Sequence, residues 1–88
     1  MNRVFKYVIE QGVFELSLPA EAKLLTVHEQ GGDIMVWAEI DDDAEGEATF
    51  DFKVMGTGWP FNSDGYTYLG TAFITWTVWH VYYRKIGE

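Results

Sequence analysis

The sequence predicts an all-β chain, a small antiparallel sandwich or partly open barrel of about seven strands, from short alternating runs separated by turn residues at regular intervals. Three observations carry this. Apolar and polar residues alternate with period two through most of the chain, glycine or proline punctuates the runs, and the second half is dense in aromatic and β-branched residues. No stretch has the 3.6-residue periodicity of a helix.

In order along the chain, residues 4–9 place Phe5, Tyr7 and Ile9 on one face, and residues 12–18 place Phe14, Leu16 and Leu18 opposite Val13, Glu15 and Ser17. Gln11-Gly12 reads as a tight turn that pairs these two runs as an antiparallel hairpin. Residues 19–23, PAEAK, read as a turn or a single helical turn, since Pro19 cannot donate to a ladder. Residues 24–30 and 33–40 flank Gly31-Gly32. That is a strong hairpin signal, because both glycines accept positive φ.

A charged loop, DDDAEGE at 41–47, precedes a strand over 49–55 in which Phe50, Phe52 and Val54 alternate with Asp51 and Lys53. GTGWPFNSDG, 56–65, is the longest turn-rich stretch. Residues 66–83 are too long and too aromatic for one strand, so they divide near 74–77 into a final hairpin. In its second arm Trp79, Val81 and Tyr83 share one side, and His80 and Tyr82 the other.

Length and composition narrow the function. At 88 residues the chain makes one domain, 1–88, near the size where a single core leaves little surplus over conformational entropy. With no cysteine, neither disulfides nor thiolate metal sites can supplement that core, and a reducing compartment, the cytoplasm, is expected. The first nine residues lack the apolar run of a secretory leader, and no segment has the apolar length of a membrane span. A net charge of −8 opposes affinity for long nucleic acids. It does not oppose a small anion held by two or three bases and some amides. Aromatic residues make up 17% of the chain, more than one small core hides, so some rings are expected at a subunit interface or ligand site in a homo-oligomer.

Each candidate chemistry in the sequence has a plainer alternative. With Asp41 as the first position of a calcium loop, Asp43 and Gly46 fit, but Glu45 and Phe52 stand where ligands are needed, so a solvated loop is expected and no metal. Ser17, Ser63, His28 and His80 form no nucleophile pattern, and fourteen acids make carboxylate pairs by chance. No catalytic residue and no cofactor is expected, although a phosphodiesterase-like activity stays open.

Gly56-Thr57-Gly58 follows a strand and could bring backbone N–H groups to an anion, or simply make a turn. Trp59, Tyr66 and Tyr68 lie in or beside it and could stack a nucleobase. Of the bases Arg3, Lys6, Lys23, Lys53, Arg84 and Lys85, Arg84 joins the candidate set, as does His80, whose plainer role is a hydrogen-bonded structural histidine. The candidate ligand-binding residues are thus Gly56, Thr57, Gly58, Trp59, Tyr66, Tyr68, His80 and Arg84. Trp37, in the central hairpin, is expected to be core, so Trp37→Ala should mainly destabilise, whereas Trp59→Ala should weaken capture with little loss of folding.

The chain also resembles a family of small phage-encoded all-β proteins of uncharacterised-domain type. The resemblance rests, in order, on Lys6-Tyr7, Leu18-Pro19 with Ala22 and Leu25, Val27 and Gln30, Val36-Trp37-Ala38, Gly56-Thr57-Gly58, Leu69-Gly70-Thr71 and Val78-Trp79-His80-Val81, and covers nearly the whole chain. Several phage proteins of this size are oligomeric sponges that sequester the cyclic or ADP-ribose-derived nucleotide signals of the bacterial immune systems CBASS and Thoeris. The resemblance implies a similar anti-CBASS or anti-Thoeris role in the cytoplasm of an infected bacterium: a homo-oligomer holding a cyclic dinucleotide or cyclic ADP-ribose-type ligand, with no long nucleic acid and no membrane as partner. The alternative is a phage structural or accessory module whose exposed rings meet another protein.

Overall fold

The computed structural model describes residues 1–87. Seven strands follow one another without a helix among the described residues: β1 (Asn2–Ile9), β2 (Gly12–Pro19), β3 (Lys23–Gln30), β4 (Asp33–Asp41), β5 (Glu47–Gly56), β6 (Thr67–Ile74) and β7 (Thr77–Gly87). They form two antiparallel sheets, a three-stranded one ordered β1-β4-β3 and a four-stranded one ordered β2-β5-β7-β6. The sheets do not close into a barrel.

Alternation decides which residues are buried between the sheets. On β4, Ile34, Val36, Ala38 and Ile40 are buried, and on β5 so are Phe50, Phe52 and Val54. Leu18, Val27, Val36, Phe52, Val54 and Val81 are the largest fully enclosed side chains, contributed by five strands of both sheets. Edge strand β6 lies against edge strand β3 because Gly70 has no side chain. A Cβ there would sit 2.8 Å from Val27 Cγ1.

The Gly31-Gly32 hairpin forms with the expected register, Gln30 opposite Asp33, and both glycines take positive φ. The final hairpin also forms, with Ile74 opposite Thr77. The expected β1–β2 hairpin does not. β1 pairs with β4 over its whole length, from Asn2 opposite Asp41 to Ile9 opposite Ile34, and β2 pairs with β5. The short link through Glu10 and Gln11 instead carries the chain from one sheet to the other, with Gly12 at φ 87. Alternation states which residues share a face, not which strand lies alongside. Crossing between sheets sets the apolar faces of β1 and β2 across the core from each other, burying Ile9 and Leu18.

Trp37 also departs from expectation. Its neighbours Val36 and Ala38 point into the core, so Trp37 points out, half-buried on the outer face of the three-stranded sheet, with His28 edge-on at 6.0 Å. Being in a central strand does not make a residue core, because every central strand has an outer face. No helix among the described residues is long and apolar enough to cross a membrane.

Candidate functional site

The outer face of the four-stranded sheet is built by the residues that alternate with the core. β5 contributes Asp51, Lys53 and Met55, opposite Arg84, Tyr82 and His80 of β7, and β6 sets Tyr68 opposite Tyr82 and Thr71 opposite His80. A bulge between Tyr68 and Gly70 keeps Tyr68 on this face while Gly70 turns inward.

The loop of residues 57–66 folds back over part of that face. It is bracketed by two turns. The Trp59 amide donates to Gly56 O at 3.0 Å with Gly58 at φ 91 in third position, and the Tyr66 amide donates to Ser63 O at 2.9 Å with Gly65 at φ 80. A positive φ at the third residue is what a type II turn demands, and glycine meets it without strain. Between them, Asn62 Oδ1 accepts from the Asp64 amide at 2.8 Å, and Asn62 O accepts from Lys53 Nζ at 2.6 Å. The loop is therefore tied to the middle of β5.

Two polar networks result. In the first, the Tyr66 hydroxyl donates to Asp51 Oδ2, and Arg84 Nε lies 3.5 Å from the same oxygen. The Tyr66 ring is covered by Lys53 Nζ at 4.4 Å and Arg84 Cζ at 4.8 Å from its centroid. The bond to the Asp51 carboxylate, reinforced by burial, raises the Tyr66 phenol above its ordinary range and keeps it a donor. Asp51, only 7% exposed, is thus buried with its charge answered. In the second network, Thr57 Oγ1 lies 2.7 Å from His80 Nε2, His80 Nδ1 lies 3.3 Å from Thr71 Oγ1, and Thr71 is hydrogen-bonded to the Tyr68 hydroxyl.

Rings lie between these networks. Tyr82 has Phe61 at 5.1 Å on one side and Tyr68 at 5.4 Å on the other, both tilted by 59°. Phe61 and Tyr68 stay exposed. Trp59 goes elsewhere: its indole crosses Gly56 and meets Trp79 edge-on at 5.2 Å, an arrangement open only because a Cβ on Gly56 would come within 3.0 Å of it.

Of the eight candidate residues, Thr57, Tyr66, Tyr68, His80 and Arg84 therefore meet in the two networks, while Gly56, Gly58 and Trp59 form the turn at the entrance to the loop. In that turn the Thr57 amide is already spent on Val78 O at 3.2 Å, and the Trp59 amide on Gly56 O. Those two amides are committed to the turn and to β7. Lys53, Phe61, Tyr82 and Asp51 belong to the same constellation but lie outside the candidate set. Period two places Asp51, Lys53 and Tyr82 on the outer face, but nothing in it brings Phe61 and Tyr66 back over them.

Arg3 and Lys6 lie on the other sheet. Arg3 Nε pairs with Asp42 at 2.6 Å, and Lys6 Nζ donates to Gln30 at 2.5 Å on the outer face of the other sheet. Asp41 Oδ1 accepts from the Asp43 amide, which holds the Asp41 carboxyl below its usual range. Among the described residues, no three metal-ligating side chains come together.

Over residues 1–88 the chain matches the family model described as Domain of unknown function (DUF7352), and it belongs to that family. No curated protein and no solved structure matches it.

Proposed function

We propose that the protein is a non-catalytic phage sponge that sequesters a cyclic-nucleotide-type signal of CBASS or Thoeris immunity, held between copies of the chain in the cytoplasm of the infected bacterium. One observation carries the reading: exposed rings (Phe61, Tyr68) flank Tyr82 on the same face as Arg84 and Lys53. A ring surface accepts a nucleobase by stacking, worth about 1–3 kcal/mol per base, and a guanidinium accepts a phosphate in a forked pair. Arg84 keeps 48% of its side chain exposed, so it can leave the 3.5 Å contact with Asp51 for a stronger acceptor. Capture requires no bond to break, only enclosure.

An open face cannot enclose a ligand alone, and tight binding of a small molecule needs most of its surface buried. A second copy laid over this face completes the enclosure. Val13 and Phe73 widen the face with apolar surface, being 67% and 72% exposed. The test is native mass spectrometry of the protein alone and with cyclic dinucleotides and cyclic ADP-ribose isomers, followed by denaturation. An oligomer that retains one nucleotide and returns it intact is the expected result, and release of a cleaved product would instead make the protein a phosphodiesterase.

The same breadth of apolar surface supports a second reading, an accessory module that binds another protein. An oligomer indifferent to every nucleotide, together with a phage or host protein that co-purifies stoichiometrically and is lost on Phe73→Asp, would replace the first reading with this one.

A further inference from the structure

A further concavity lies away from the ring face. It is a cleft of about 720 Å³ at one end of the sandwich, where three connections converge: the β1–β2 link with Glu10, the start of β4 with Asp33 and Ile34, and the β6–β7 turn with Ile74 and Trp76. Trp79, only 9% exposed, also lines it. Trp76 stands at the rim, 95% exposed.

Its chemistry is the reverse of that of the ring face. Two carboxylates, Glu10 and Asp33, and two indoles line the cleft, and none of its described lining residues is basic. The net charge of −8 adds a field of the same sign. Such a cleft disfavours phosphate. It favours a group that is positively charged yet apolar in body, because indole faces attract cations and carboxylates nearby complete the neutralisation.

Backbone strain points to the same place. Ile74 and Thr77 pair, leaving a two-residue turn in which Thr75 takes φ 47. A β-branched residue seldom occupies that region, and glycine is the usual choice for such a turn. Residues held so tend to cluster at ligand clamps. Here the strained turn carries the indole at the rim.

We propose that this cleft is a binding site for an alkylammonium group, with Trp79 as an indole wall, Trp76 closing from the rim, and Glu10 and Asp33 as counter-charges. It is separate from the nucleotide reading, from which it differs in sign, and its Trp79 also meets Trp59 of the loop edge-on.

The test follows the indole N–H signals of the full-length protein by NMR while choline is titrated in, with choline's uncharged carbon isostere as control. Choline is expected to shift the Trp76 and Trp79 signals saturably and the isostere not to. Glu10→Gln with Asp33→Asn should weaken choline binding about tenfold, and Trp76→Ala should remove most of it. Because Trp76 is almost wholly exposed, that variant should keep the wild-type unfolding midpoint. Titration with an N-acetylated trimethyllysine amide distinguishes sources: tighter binding than choline assigns the site to a modified side chain, weaker binding to a free ammonium compound, and either supports the proposal. Equal binding of the uncharged isostere, or no saturable shift with either cation, overturns it.

Discussion

The outer faces of the two sheets begin from similar materials and end differently. On the three-stranded sheet, Trp37 has His28 as its ring neighbour and Lys6 is held by Gln30. On the four-stranded sheet, Tyr82 has rings on both sides and Asp51 is buried under Tyr66 and Arg84. Strand composition does not separate them, since each carries tryptophan or tyrosine, lysine and a histidine. What separates them is residues 57–66, which return over one sheet, whereas Gly31-Gly32 takes the chain straight back along the other. A face becomes a site when a connection folds onto it.

The comparison can be broken most directly at Asp51. Asp51→Ala removes the acceptor of Tyr66 and the partner of the half-exposed Arg84, and losing a hydrogen bond to a buried carboxylate costs about 1.5–3 kcal/mol. Urea unfolding should register this loss, and a change under 1 kcal/mol would mean the loop does not depend on that anchor. Next comes Gly70→Ala. The added methyl meets Val27 at 2.8 Å, and overpacking of this kind costs about 1–3 kcal/mol, read as a lower unfolding midpoint with an unchanged denaturant slope.

Smaller effects sharpen the contrast between faces. Trp37→Ala should cost about 1–2 kcal/mol, below the 3–5 typical of an enclosed large ring, because its side chain is only half-buried. Phe61→Ala should cost about 1 kcal/mol through its lost pairing with Tyr82, yet abolish nucleotide retention if the proposed sponge function is right. A Phe61→Ala protein that captured nucleotide normally would move the site off this face.

The smallest effect is in pH. The Tyr66 phenol titrates above its unfolded value, so the stability it contributes is complete below that value and is lost as pH rises through the higher folded one. Unfolding midpoints should therefore decline in the alkaline range, and Tyr66→Phe should flatten that decline. An identical alkaline slope in the variant would show that the bond to Asp51 does not shape the pH dependence.

Much of the strand inventory was legible in the sequence because burial on one face imposes period two wherever a sheet covers a core. Phe50, Phe52 and Val54 read as one face against Asp51 and Lys53 without knowledge of what they touch, and all three are buried. The pairing partner of β1 was not legible, since Phe5, Tyr7 and Ile9 would alternate in the same way beside β2 or beside β4. The site divided similarly. Aromatic density and the glycine turns drew attention to residues 56–68, while the contact of Phe61 with Tyr82 and the end cleft beneath Trp76 depended on connections whose paths carry no periodicity.

The sequence by itself determined an all-β chain with glycine-marked turns, a faced set of core residues and a surplus of rings, because these follow from local backbone preference and the burial of one side of each strand. Only the tertiary structure decided that β1 and β2 belong to different sheets, that Trp37 faces outward, and that a carboxylate, a phenol and a guanidinium meet on one sheet while two carboxylates and two indoles meet at its end. Those arrangements join residues far apart in the chain, and the energy that selects them comes from packing whole faces together rather than from any local pattern.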